Sequence, residues 1–186
     1  MAAVWAKVPF GLDVLITHGP PQGILDDASS YRGGSWAGPA LSVRRERCVM
    51  ANMIRQTVTL NASPEELFST YLDSKKHAAV IGDKVAISRK VGARFTAFGG
   101  MLRGRNLVIL PNRVIVQSWR AKTWKKRDAD SILILQFRPA KGGGQIDLVH
   151  LGMPDYDYRP IKQGWPKYYW NPWKTYLKKR RALHVR

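Results

Sequence analysis

The change of apolar period near Pro154 constrains the fold of this chain more than any other feature of its sequence. Between Lys84 and Leu151, strand-like runs are separated by turn signals such as Pro-Asn and Gly-Gly-Gly, and consecutive strands with short connections form an antiparallel meander. After Pro154, aromatic and apolar residues recur at three- and four-residue steps, the spacing of one helix face. The sequence therefore predicts about six antiparallel strands followed by a long aromatic helix.

Pro172 is expected to disturb that final helix. The apolar face comprises Gly164, Trp165, Tyr168, Tyr169, Pro172, Trp173, Tyr176 and Leu177. Pro172 removes the amide that would bond the carbonyl of Tyr168, and its ring crowds the preceding turn. We therefore expect a kink between Tyr168 and Pro172.

A strand and a well-capped helix are predicted ahead of the meander. Residues 54–60 alternate as a strand does. In the stretch "NASPEELF", Ser63 can cap a helix, Pro64 suits its first position, and Glu66 stands where a capping box needs it. The first strand is therefore expected to lead directly into a short helix.

A second short helix is expected after the first, with Asp73 or Ser74 as its cap and Gly82 at its end. The predicted order is strand, two short helices, antiparallel strands and a long helix. A sheet with one uncovered apolar face can bury it by wrapping around that helix. The sequence thus predicts an α+β fold in which a curved antiparallel sheet encloses a C-terminal helix.

Several spaced words of the sequence resemble one known family. They are "IRQTV", "SPEELF", "KHAA", "GARFTAFGG", "GRNLVILPNRVIVQSWR", "GGGQIDLVHLGMP" and "GWPKYYWNPWKTYL". In this order, over about residues 52–178, they resemble homologues of the activator of the heat-shock protein 90 ATPase, within the START-like (SRPBCC) helix-grip superfamily. Gly92 and Ala93 stand where family members commonly have two glycines, which is a mild departure.

The resemblance implies a mostly apolar cavity between the sheet and the final helix, and no shared catalytic set. The candidate lining residues are Phe95, Phe98, Trp119, His150, Tyr168, Tyr169 and Trp173. Core packing is the alternative for each, because aromatic stripes at helical spacing also fill ordinary interiors. For His150, a hydrogen-bonded strand histidine is favoured over a general base.

The N-terminal stretch "DVLITHGPPQGILDD" is of a different kind. Residues 10–30 resemble a fragment of a calcineurin-like metallophosphoesterase, with His18 in the place of a metal ligand. A two-metal centre needs several ligands, and the family's other histidine and aspartate motifs are missing, so His18 is rejected as a metal ligand. We interpret residues 1–50 as an irregular extension made of this fragment and a linker, 51–182 as the helix-grip domain, and 183–186 as a basic tail.

The charge of the chain favours acidic partners. The net charge is +18, and nearly all of the excess lies after residue 53, so the domain would attract acidic surfaces. The basic residues are scattered over turns and polar strand positions, which favours a solvated surface over nucleic-acid binding. The single Cys48 and the lack of a long apolar run favour a cytoplasmic protein without a membrane span.

These observations lead to one functional prediction and its alternatives. We expect non-enzymatic binding of a small hydrophobic molecule, without a cofactor or metal. One alternative is a co-chaperone that docks on an acidic chaperone surface and activates its ATPase. The other is an enzyme, either a metallophosphoesterase or a helix-grip cyclase or hydrolase.

Overall fold

The computed structural model describes residues 52–184. In chain order the elements are β1 (Met53–Leu60), α1 (Pro64–Tyr71), α2 (Ser74–Ile81), β2 (Arg94–Ala97), a 3-10 turn (Phe98–Gly100), β3 (Leu102–Leu110), β4 (Val114–Ala121), β5 (Ser131–Ala140), β6 (Gly143–Leu151), α3 (Asp155–Trp165), a π-helical segment (Pro166–Trp170) and α4 (Asn171–His184). The predicted extension at residues 1–50, with His18, lies outside the described residues.

The first helix begins where the sequence indicates, and the second begins after one of its two predicted caps and ends at the predicted glycine. Ser63 caps α1 and its Oγ accepts from the Glu66 amide at 3.2 Å. The Glu66 carboxylate contacts Arg180 of α4 rather than completing a capping box. Asp73 caps α2 by accepting from two backbone amides, and the helix ends at Gly82 with φ of 72°. These local signals thus position both helices after β1.

Within the described residues, the six strands form one antiparallel sheet in the order β1-β6-β5-β4-β3-β2. The prediction of about six strands after the helices was one too many, because five follow them. The stretch from Lys84 to Ala93 forms no strand, and its isolated bridge joins Ala86 to Thr96. The Asn106 side chain instead donates to the carbonyls of Ser88 and Lys90, so this segment is held as a loop.

The C-terminal helical region starts earlier than its aromatic stripe suggests and changes its winding in the middle. It starts at Asp155, directly after Pro154, whereas the aromatic stripe indicated a start at Gly164. Where a kink was expected, the segment Pro166–Trp170 winds as a π-helix, and the Asn171 amide bonds the Pro166 carbonyl. A π turn adds a residue to the helix without ending it.

The core lies where the inner face of the sheet meets α1 and the C-terminal helices. Ile115, Leu133, Leu148 and Trp173 are each at most 1% exposed, and Phe68 of α1 packs edge-on against Phe137 of β5. The predicted helix-grip arrangement is thus present. Among the described residues, no helix is both long enough and apolar enough to span a bilayer.

Candidate ligand cavity

A cavity of about 380 Å³ is formed between the sheet and the C-terminal helical region. Its lining residues are Phe98, Met101, Leu102, Trp119, Ala121, Asp157, Pro160, Ile161, Gly164, Trp165, Tyr168 and Tyr169. The size is that of a small-molecule pocket. The described lining residues are apolar or aromatic except for Asp157, so the cavity suits a hydrophobic body better than a polar one.

The sheet and the C-terminal helical region provide most of the cavity wall. On the sheet, Leu102 of β3 lies opposite Ala121 of β4, and the small alanine leaves space beside the indole of Trp119. On the helix, Ile161 and Trp165 are spaced by one turn on the face that looks toward the sheet. Gly164 carries no side chain, so the helix does not fill the cavity at this position.

The backbone at Phe98 holds an aromatic ring at the cavity. Phe98 has φ of 52°, a left-handed conformation that is unfavourable for a bulky side chain, and Gly99 and Gly100 continue it at 60° and 94°. The Phe98 ring meets the rings of Tyr168 and Tyr169 edge to face, with centroids 6.0 and 5.7 Å away. Strained residues of this kind concentrate at functional sites.

The seven sequence-predicted residues divide into two groups. Phe98, Trp119, Tyr168 and Tyr169 line the cavity, and Phe95, His150 and Trp173 do not. The Phe95 ring lies over Gly104, where an added Cβ would be 2.7 Å from that ring. Trp173 is fully buried in the core, so the second group packs behind the cavity wall.

Eight lining residues were not predicted: Met101, Leu102, Ala121, Asp157, Pro160, Ile161, Gly164 and Trp165. For those on α3 a signal was present, because Asp157, Ile161 and Trp165 recur every four residues. This spacing indicates cavity-lining residues only if the predicted helix begins at Asp155 rather than at Gly164.

His150 is fixed by two hydrogen bonds behind the cavity. The Ser131 hydroxyl donates to the Trp119 carbonyl, so its oxygen accepts from Nε2–H of His150 at 2.8 Å. The indole N–H of Trp165 donates to Nδ1 of His150 at 3.3 Å. Burial lowers the pKa of His150 to about 3, which keeps the ring neutral. With its lone pair bonded to Trp165, the imidazole joins the sheet to α3 and is poorly placed to act as a general base.

A second buried polar chain lies on α1 and the sheet. The Tyr71 hydroxyl donates to Gln117 at 2.8 Å, and the Gln117 amide donates to Asn106 at 2.7 Å. Burial raises the pKa values of Tyr71 and of Tyr169, which lines the cavity. Both phenols therefore stay neutral and act as hydrogen-bonding groups. Within residues 52–184, no three His, Cys, Asp or Glu side chains are grouped as a metal site.

Comparisons with known proteins identify the family. The family described as "Activator of Hsp90 ATPase homolog 1-like protein" matches residues 61–178. The human activator of 90 kDa heat shock protein ATPase homolog 1 is 26% identical over 137 residues, which cover 72% of this chain and 40% of that protein. The chain spans between 27% and 40% of the length of the curated relatives it matches.

Solved structures support the same fold. A crystal structure of a Mesorhizobium loti protein superposes with a TM-score of 0.60 at 19% identity, covering 68% of this chain and 97% of that one. An Hsp90 activator from Plasmodium falciparum superposes with a TM-score of 0.57 at 24% identity, covering 66% and 91%. Because the family match extends over most of the chain, the chain belongs to the Activator of Hsp90 ATPase homolog 1-like protein family.

Proposed function

We propose that this chain binds a small hydrophobic molecule in the cavity between its sheet and its C-terminal helical region. The observation that carries the proposal is an apolar space of about 380 Å³ beside a tightly packed core. Small-molecule sites are typically concave, mostly apolar and of this size. Aromatic rings line this space from both sides, which supports a ligand site.

Burial of apolar surface would drive such binding. Removing about 200 Å² of ligand surface from water would contribute on the order of 5 kcal/mol before the entropy of association is subtracted. Among the described lining residues, the Tyr168 and Tyr169 hydroxyls and the Asp157 carboxylate are candidate polar groups to orient the ligand. That gross figure of about 5 kcal/mol corresponds to a Kd of roughly 0.2 mM, so sub-millimolar or weaker affinity is expected.

Gly164 offers a direct test of the cavity. An added Cβ would meet the Tyr168 ring at an ordinary contact distance of 3.6 Å, so the helix can accept a side chain here. Gly164→Leu is expected to fill the cavity and weaken binding of decanol by at least about tenfold. It should leave the melting temperature unchanged or raise it, since glycine is a poor helix former. Calorimetric titration and thermal unfolding measure the two effects.

Gly164→Ala is the matched control, because it adds one methyl group and should retain most of the affinity. The panel should include a sterol and an aromatic ketone beside decanol. Absence of binding across this panel, or equal affinity of the leucine variant and the parent chain, would contradict the proposal.

Docking on an acidic chaperone is a second candidate function. It is supported by an arginine surface (Arg94, Arg103 and Arg105) on the outer face of the sheet, where Arg94 lies directly opposite Arg105 in the register. All three side chains are exposed, and like charges opposite one another destabilise a sheet. An acidic partner would relieve that repulsion. The human relative carries the name of an activator of the heat shock protein ATPase.

Replacing the three arginines of the arginine surface by alanine is expected to weaken capture of the host's Hsp90 by at least about fivefold at low salt. Capture by the parent chain should itself weaken as salt is added. Alanine at the exposed Lys126, Arg127 and Lys141 removes the same charge elsewhere, and this control should bind normally. Equal loss in both variants would argue against a specific docking face.

A further inference from the structure

Among the described residues that line the cavity, Asp157 is the one with a charged side chain. We propose that the cavity takes an amphiphilic amine, whose apolar body fills the aromatic space and whose protonated amine contacts the Asp157 carboxylate. This inference rests on the proposed ligand-binding function and specifies the chemical class of the ligand.

Asp157 is held in place by a neighbouring indole. Its Oδ2 accepts from Nε1–H of Trp124 at 2.6 Å, and Trp124 is itself 6% exposed. No hydrogen bond to the side-chain Oδ1 of Asp157 and no salt bridge of Asp157 is found among residues 52–184. The half-buried carboxylate thus has one oxygen fixed by Trp124 and one without a hydrogen-bond partner among the described residues.

The Arg120 cation, which stacks on Trp124, already has hydrogen-bond partners. The Arg120 guanidinium lies 5.9 Å from the Trp124 ring centroid. Its nitrogens donate to the carbonyls of Lys125 and Asp128 and to the Asp130 carboxylate. Arg120 is therefore positioned to hold the loop after β4, and it forms no salt bridge with Asp157.

A second cation lies near the cavity but outside its wall. The Lys167 ammonium is 5.0 Å from the Tyr168 ring centroid, and its side chain is exposed and absent from the lining. Salt screens an exposed charge more strongly than a half-buried one. Asp157 should therefore decide which head group is preferred, while Lys167 has a weaker influence in the opposite direction.

Three ligands with one apolar chain separate the head-group effect from hydrophobic burial. Decylamine, decanol and decanoate are titrated into the full chain at neutral pH and physiological salt. An ammonium would gain a charge-assisted hydrogen bond to Asp157, whereas a carboxylate would be repelled. We expect decylamine to bind best, decanol less well, and decanoate at least about fivefold more weakly than decylamine.

Asp157→Asn tests the residue itself. The asparagine carbonyl can still accept from Trp124, so the cavity wall should keep its shape while the charge is lost. The preference for decylamine over decanoate is expected to fall to about twofold or less. Asp155→Asn removes the same charge from α3 at a residue that does not line the cavity, and this control should keep the full preference.

The outcomes distinguish this inference from the function on which it rests. Binding of decanol that is lost in Gly164→Leu, with no preference for the amine, overturns the amine assignment and leaves hydrophobic binding standing. Stronger binding of decanoate overturns it as well and assigns the head group to Lys167. Failure of all three ligands to bind overturns both proposals.

Discussion

Trp173→Ala is expected to lower the free energy of unfolding by about 3 to 5 kcal/mol. Trp173 is fully buried in α4 and belongs to the core cluster that joins the sheet to the helices. Its removal deletes a large apolar surface and leaves a cavity that the neighbouring strands can only partly close. Because whole domains are stable by only about 5 to 15 kcal/mol, the melting temperature should fall by on the order of 10 °C.

Two further variants give this prediction its controls. The indole N–H of Trp173 has no hydrogen-bond partner among the described residues, so Trp173→Phe removes an unsatisfied donor with part of the ring. It should cost less than half as much as the alanine variant. Tyr168→Ala changes a side chain that is 48% exposed and should shift the melting temperature only slightly. Urea unfolding followed by circular dichroism measures all three.

The comparison also separates a core role from a cavity role for the aromatic stripe. Trp173 and Tyr168 belong to the same stripe, but only Tyr168 lines the cavity. A loss of less than about 1 kcal/mol for Trp173→Ala would mean that this ring is not part of the core. The final helix would then not be packed against the sheet, and the cavity between them would lack its inner wall.

Local sequence signals predicted the first half of the fold well. The cap at Ser63 and the stop at the left-handed Gly82 are determined by the chemistry of single residues, and Asp73 was one of two candidate caps. Such signals can be recognised without a structure. The period of two also assigned most strands. Residues 84–93 were included in the strand-rich region, but they form a loop in which the carbonyls of Ser88 and Lys90 accept from the Asn106 side chain. A contact between residues so far apart in sequence has no local pattern.

The depth of each aromatic ring could not be predicted. Alternation places Trp119 and His150 on the inner face of the sheet, and their ring centroids are 4.8 Å apart. Only Trp119 lines the cavity, since Trp165 lies over His150 and bonds it. The face of a strand residue follows from its period, but what covers that residue depends on where the helix crosses.

Of the differences between prediction and structure, the start of the last helix matters most for the cavity. Aromatic residues dominate the stripe from Gly164 onward, whereas the preceding turns contain Asp157, Pro160 and Ile161. Pro160 in particular argues against a helix interior on propensity alone. Packing on the sheet outweighs that preference, and the cavity consequently gains an aspartate that a stripe of aromatic residues does not reveal.

Acidification from pH 7 to pH 5 is expected to lower the free energy of unfolding by about 4 kcal/mol through two buried histidines. Burial lowers the pKa of His77 to about 4 and that of His150 to about 3, from 6.5. Each ring stays neutral in the folded chain while the unfolded chain takes up a proton. Stability is therefore lost as pH falls below 6.5, and the loss levels off near pH 4 for His77 and near pH 3 for His150.

Each histidine should contribute about 2 kcal/mol of that loss at pH 5, since one pKa unit corresponds to about 1.4 kcal/mol. The His77 Nδ1–H donates to the Tyr71 carbonyl, which a glutamine amide can also do, so His77→Gln keeps a donor without the titration. His150→Gln replaces the second group.

The lowered pKa values of Asp73 and Asp128 confine the effect of these carboxylates to more acid solution, below about pH 4. The slope of unfolding free energy against pH between 5 and 6.5 should consequently halve in either histidine variant and nearly vanish in the double variant, whatever the stability of each at pH 7. Urea unfolding at a series of pH values measures the slope. A parent chain equally stable at pH 5 and pH 7 would mean that both imidazoles reach water, which contradicts the packing of His150 between the sheet and Trp165.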